Sequence, residues 1–339
     1  MRSITDAEAR TVRSLLAALP MREGERARQA GVSSRTFERV RRRAYDSRWL
    51  YDRYVPNPNR LGFTTATFVL VHPFAEDVNL VLQRMMAAPS NVLTWSWPTG
   101  GFGVFWTRSG NVEQIREIAK WRDAGGSVVV SCRAAGESVP VYFDFERAWA
   151  RWTGQPGVLG YPRGLPTRST DSPSPDFGVN GKFRLVRALV ARPFDSRGEE
   201  RPVRVSLSLL QRQERRILRT GIVERRTFLN PKEIPPFEGR SLERLAFLTG
   251  DLGGRQSLPD LLRALFAMGI SPFLAVSDGA RVLLGSMSPG PPRPRPAGNT
   301  PAVLRTISRY MSNIRIAREP LESISFLVNH RYDHLLGRL

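Results

Sequence analysis

Residues 5 to 45 carry apolar positions at helical spacing, interrupted by Pro20 and by the turn Gly31-Val32-Ser33, and that pattern leaves few folds open. Thr5-Asp6-Ala7-Glu8 fits a capping box ahead of Val12, Leu15, Leu16 and Leu19, and Pro20 closes the predicted helix. A short second helix is expected from Glu23 to Ala30. Gly31 can take the left-handed backbone that a tight turn needs. Ser33 or Ser34 then caps a third helix reaching about Tyr45. Ala27 is small where two helices would cross, and Phe37, Val40 and Ala44 share one face of the third helix. Two helices joined in this way form a helix-turn-helix, whose second helix fits the major groove of duplex DNA.

The outer face of that third helix carries Arg35, Glu38, Arg39, Arg42 and Arg43, with Ser34 and Thr36 near its start. Residues at the start are expected to approach base edges, and the later arginines to meet phosphates. Ser33 lies in the turn that leads into it. The segment from Trp49 to Val55 alternates as a strand does and is expected to form a wing, with Arg48 and Arg53 beside the DNA backbone. Trp49, Tyr51 and Tyr54 are expected to pack against the helices.

Charge supports a polyanionic partner. The 339 residues hold 51 basic and 31 acidic side chains, for a net charge of +20. All the basic residues except Lys120, Lys182 and Lys232 are arginines, whose planar fork binds phosphate bidentately. An apolar fraction of 41% is enough for real cores. No run of eighteen apolar residues and no isolated basic amphipathic helix is present, so a membrane partner is not expected, and the cytoplasm is the expected compartment. Cys132 is the only cysteine, which excludes disulfide frameworks and cysteine-based zinc sites.

From Phe63 the apolar period changes. Phe63–Val71 reads as a strand, Glu76–Ala88 as a helix, Val92–Trp97 and Phe102–Trp106 as a hairpin, Val112–Ala124 as a second helix and Ser127–Arg133 as a fourth strand. The order β-α-β-β-α-β predicts a ferredoxin-like sandwich and an α+β fold class. A helix-turn-helix, a strand, the phrase from Arg53 to Gly62 and then this order resemble the Lrp/AsnC family of transcription regulators over residues 5 to about 135. The resemblance implies a winged helix-turn-helix that binds duplex DNA and a sandwich that dimerises through its sheet. It also implies an effector site at the middle hairpin, here Thr99, Gly100 and Gly101. The family's turn commonly carries an aspartate after the glycine. Thr99-Gly100-Gly101-Phe102-Gly103-Val104 has no acidic residue, which weakens amino-acid sensing.

The second half repeats this plan weakly. Residues 219–231 echo 47–58, pairing Asn57-Pro58 with Asn230-Pro231. Leu242–Leu248, Leu258–Met268, Phe273–Val276, Arg281–Gly285, Val303–Met311 and Ile314–Ala317 follow as a second β-α-β-β-α-β, and 139–149 matches 324–335. The predicted organisation is a winged helix-turn-helix over 1–56, a sandwich over 57–152 and a linker over 153–180. A degenerate second head over 181–232 and a second sandwich over 233–339 complete it. Ser208, Gln211, Arg212, Arg215 and Arg216 would line the second head's recognition helix, and Gly290–Asn299 is an inserted loop. Two sandwiches in one chain would form an intramolecular pseudo-dimer, or the chain a homodimer through its sheets.

No nucleotide-binding glycine pattern sits between a predicted strand and helix. His330 and His334 stand four apart without further ligands, so no metal site, no cofactor and no catalytic residues are expected, and the chain is expected not to be an enzyme. The leading expectation is a DNA-binding transcription regulator. Two others stand beside it: the resemblance also implies an Lrp-like decarboxylase acting on a tetrapyrrole of the sirohaem type, with His72 near the end of the first sandwich's first strand, and the third is a DNA-tethered module that recruits a protein.

Overall fold

The computed structural model describes residues 3–17, 21–56, 63, 65–71, 78–88, 90–107, 127–133, 145–155, 186, 190, 214, 217–218, 222–254, 257–268, 270, 272–289 and 300–328. The chain forms two compact units, each drawn from separated stretches of sequence. The class is mixed α+β, with three antiparallel or paired sheets among the described residues.

The first unit joins residues 1–51, 140–164 and 227–323. It opens with α1 (Asp6–Leu16), α2 (Glu23–Gln29) and α3 (Ser34–Asp46). Thr5 caps α1 by accepting from the Glu8 N–H at 3.3 Å, and the Glu8 carboxylate returns the bond to the Thr5 N–H at 2.9 Å. α2 and α3 end alike: Val32 N–H reaches Ala27 O and Trp49 N–H reaches Ala44 O, each around a residue with positive φ, Gly31 and Arg48. Val12, Leu15, Leu16, Ala27, Phe37, Val40, Ala44 and Trp49 are buried together as the core of the three helices.

This head is fastened by segments far away in sequence. α5 (Phe145–Trp152) packs on α1, where the Trp149 indole donates to Ala9 O at 2.8 Å and Arg13 pairs with Glu146 at 3.5 Å. The Ile4 N–H donates to Pro236 O at 2.8 Å, and Phe237 stands edge-on to Trp152. α5 also reaches the unit's sheet, where Phe145 stacks on Phe273 with ring centres 5.7 Å apart. That sheet contains β7 (Leu242–Leu252), β8 (Leu274–Ser277), β9 (Arg281–Pro289) and β10 (Met311–Pro320), in the order β10-β7-β9-β8. α6 (Leu258–Ala267) and α7 (Thr300–Ile307) cover one face, burying Leu261, Leu262, Leu265 and Ile307 against Ala275, Val282, Leu284 and Met311.

The second unit joins residues 52–139, 165–226 and 324–339. Its sheet holds β2 (Thr65–Val71), β3 (Asn91–Trp97), β4 (Gly100–Thr107), β5 (Ser127–Arg133) and β11 (Ser325–Val328), in the order β11-β3-β4-β2-β5. Removing β11 leaves the same strand order as the first unit's sheet, which is the ferredoxin-like order. α4 (Val78–Ala87) lies on one face through Val81, Leu82 and Met85. A methyl on Gly101 would overlap Leu82 Cδ2, and one on Gly103 would overlap Met85 Cε, so these glycines let the helix sit directly on β4. The opposite face is aromatic, with Phe68, Trp95, Trp97, Phe102 and Trp106 all buried.

The strand after α3, β1 (Leu50–Pro56), does not fold back on its own head. It pairs with β6 (Val223–Leu229) in a two-stranded sheet. Within the first unit Tyr51 stacks on Phe228 at 5.6 Å. Within the second, buried Asp52 accepts from Arg225 at 2.6 and 3.0 Å, and the Tyr54 hydroxyl donates to Glu214. The helix expected at Val112–Ala124, the linker beyond residue 155, the inserted loop at 290–299 and the end of the match at 324–335 lie outside the described residues.

Candidate nucleic-acid interface

α3 begins at Ser33, whose hydroxyl accepts from the Thr36 N–H at 3.2 Å and lies 3.0 Å from Thr36 Oγ1. These two hydroxyls therefore set the helix start. Phe37, Val40 and Ala44 turn inward and are buried. At about 100° per residue the line opposite them passes through positions 35, 39 and 42. Arg35, Arg39 and Arg42 are all exposed there, with Ser34 exposed at the same end.

The arginines of α3 divide by their partners. The Glu38 carboxylate accepts from Arg41 Nε and Nη2 at 2.7 and 3.0 Å and from Arg42 Nε at 2.8 Å. Those hydrogen bonds, from Arg41 first and then Arg42, hold the Glu38 carboxyl down at about 2. Arg41, also 3.7 Å from Glu23, is raised in return by its bond to Glu38. Arg43 turns toward α1: it meets buried Glu8 at 2.6 Å and lies 5.2 Å over the Trp49 ring. Among the described residues no ion pair engages Arg35 or Arg39.

Arg43 thus belongs to the joint between α1 and α3, and Glu38 binds its own helix neighbours. Arg53 sits half-buried on β1, away from the α3 line in sequence and element. Ser208, Gln211, Arg212, Arg215 and Arg216 lie outside the described residues. Thr99 is exposed in the β3–β4 turn, while Gly100 and Gly101 are buried in β4. A Cβ on Gly100 would come 2.8 Å from Trp97 Nε1, so both glycines are taken up by packing.

One basic residue escaped the sequence reading. Arg10, exposed on α1, brings Nη1 to 2.8 Å from the point a Gly31 Cβ would occupy, over the turn that leads into α3. No local signal marks it, because the helix crossing alone brings α1 to that turn. Among the described residues no group of three or more His, Cys, Asp and Glu could hold a metal, and no helix is long and apolar enough to cross a membrane.

The sequence matches no family model and no curated protein. Among solved structures, that of the siroheme decarboxylase NirDL matches over 98% of this chain and 97% of its own, at 9% identity and a TM-score of 0.46. AsnC of E. coli matches over 41% of this chain and 96% of its own, at 17% identity and a TM-score of 0.30. The leucine response regulatory protein LrpA of Mycobacterium tuberculosis matches over 39% and 93%, at 18% identity and a TM-score of 0.25. The expectation that the chain is not an enzyme is corrected here, because a structure matched along its whole length is that of an enzyme. The physical reason is that the expectation rested on missing local motifs. A site built from residues far apart in sequence leaves no such motif.

Proposed function

We propose that this protein is a transcription regulator of Lrp/AsnC type that binds duplex DNA through α3. The observation that carries the reading is the outward line of Arg35, Arg39 and Arg42 on the second helix of a helix-turn-helix, opposite the buried line of Phe37, Val40 and Ala44. The net charge of +20 supports it. Ser33 and Thr36 fix the helix start, Ser34, Arg35 and Arg39 approach base edges, and Arg42 and Arg10 approach phosphates. In this reading the halves are tandem copies, with heads over 1–56 and 181–232, sandwiches over 57–152 and 233–339 that exchange α5 and β11, and a linker between them. The second head, through Ser208, Gln211, Arg212, Arg215 and Arg216, contributes a weaker contact. The protein works in the cytoplasm, as a pseudo-dimer or a homodimer through its sheets, and any effector at Thr99 to Gly101 binds beside the hairpin rather than within it. Retention of labelled duplexes at rising salt tests this: affinity should fall linearly on logarithmic axes. Salt-insensitive retention, or none at low salt, contradicts it.

A second reading takes its support from the two ferredoxin-like sheets carried in one chain. It is an Lrp-like decarboxylase acting on a tetrapyrrole, the class of activity named for NirDL. A tetrapyrrole absorbance band that stays with the protein after nucleic acid is stripped away would favour it, and turnover of an added tetrapyrrole acid would establish it.

A further inference from the structure

We infer that Arg35 and Arg39 read two neighbouring guanines, while Glu38 withholds Arg41 and Arg42 from the bases. The inference rests on the DNA-binding reading and adds which bases the site selects. An arginine offers only donors, arranged as a planar fork, and guanine is the base whose major-groove edge presents two neighbouring acceptors, N7 and O6. Arg35 and Arg39 are the two outward arginines of α3 that no described ion pair engages. They are four residues apart, so about 6 Å of helix axis separates them. A recognition helix follows the major groove rather than the duplex axis, and side chains three to four apart on it meet successive base pairs, so the second fork falls about one step from the first.

Glu38 sharpens the choice. A carboxylate on a recognition helix can accept from cytosine N4. Here its oxygens are taken by Arg41 and Arg42 at 2.7–3.0 Å. The same bonds hold Arg41 through Nε and Nη2 and tie Arg42 through Nε, so Arg41's fork is engaged and Arg42 keeps only its outer nitrogens, which suit a phosphate. At the far end Asp46, exposed on the same outward line, opposes phosphates beyond Arg42, so the contact ends within the first turns of the helix. Glu38 is therefore a positioning residue.

The test begins with the full-length protein and a pool of short duplexes with a randomised core. The selected duplexes should share two guanines at this spacing. Replacing either guanine by 7-deazaguanine, which lacks the N7 acceptor, should weaken wild-type binding about tenfold. Arg35→Ala should lose sensitivity to one replacement and Arg39→Ala to the other. Glu38→Gln should raise affinity for random duplex and narrow the ratio of selected to random binding several-fold. Helical circular dichroism checks that each variant folds. Selected duplexes without the guanine pair, or replacements that harm wild type and variants equally, overturn the inference and leave DNA binding standing. An unchanged ratio in Glu38→Gln overturns the positioning role. Failure to retain any duplex at low salt overturns both this inference and the reading beneath it.

Discussion

Arg48 closes α3 with φ at 59°, a left-handed backbone that a side chain resists and glycine accepts. Its amide donates to Tyr45 O while the next amide caps Ala44 O, so the conformation is imposed by the helix end. Arg48→Gly should raise the stability of the protein by about 1 kcal/mol, read as a shift in the denaturation midpoint. No shift, or a fall, would show that Arg48 makes contacts outweighing its strain. Gly31 answers the same requirement at the end of α2 with φ at 63°, and it is the one whose role the sequence made plain. Glu38 supplies a pH prediction. Its folded carboxyl is held at about 2, below the usual 4.5. The contribution of its bonds is therefore complete above the usual value and lost as pH falls through about 2. A carbon-detected NMR titration should follow Glu38 to that pH, whereas titration near 4.5 would mean that the arginine clamp is absent in solution.

At the scale of elements, α5 fastens the head from 140 residues away, through the Trp149 bond to Ala9 O. Trp149→Phe keeps most of the packing but removes the donor to Ala9 O. It should cost about 1–2 kcal/mol and speed hydrogen exchange along α1. Unchanged exchange in α1 would mean that α5 does not fasten it. Gly101→Ala tests the other unit: the added methyl meets Leu82, and overpacking of this kind typically costs about 1–3 kcal/mol. A neutral result would show α4 sitting farther from β4. The helices of the head and the strands of both sheets were legible because each writes its own period: Val12, Leu15 and Leu16 at helical spacing, Thr65–Val71 as a β-branched run. The partner of β1 was not. A strand's pattern records that one of its faces is buried and carries no record of which strand supplies the hydrogen bonds, so β1 read as a wing. Glu8 and Arg43 show the same limit at the site, because 35 residues separate two groups that meet at 2.6 Å.

For the whole molecule, the division into units cuts across sequence order. The first head shares its unit with residues 227–323 and with α5, while residues 52–139 share theirs with β11. Each unit therefore depends on chain from both halves, and separate halves expressed alone should lack the pieces that complete them. Residues 1–139, which omit α5, should show a head with little protection from hydrogen exchange, and adding residues 140–339 in trans should restore it. Protection already complete in the shorter piece would contradict this dependence. Function at this scale turns on whether the basic line of α3 touches DNA. The most direct measurement is the affinity of wild type and of the Arg35→Ala, Arg39→Ala double variant for a selected duplex across a range of salt. Log affinity of wild type should fall linearly with log salt. The double variant should lose about a hundredfold at fixed salt, with much less loss on random duplex. Equal binding by the two proteins would contradict DNA contact through that line.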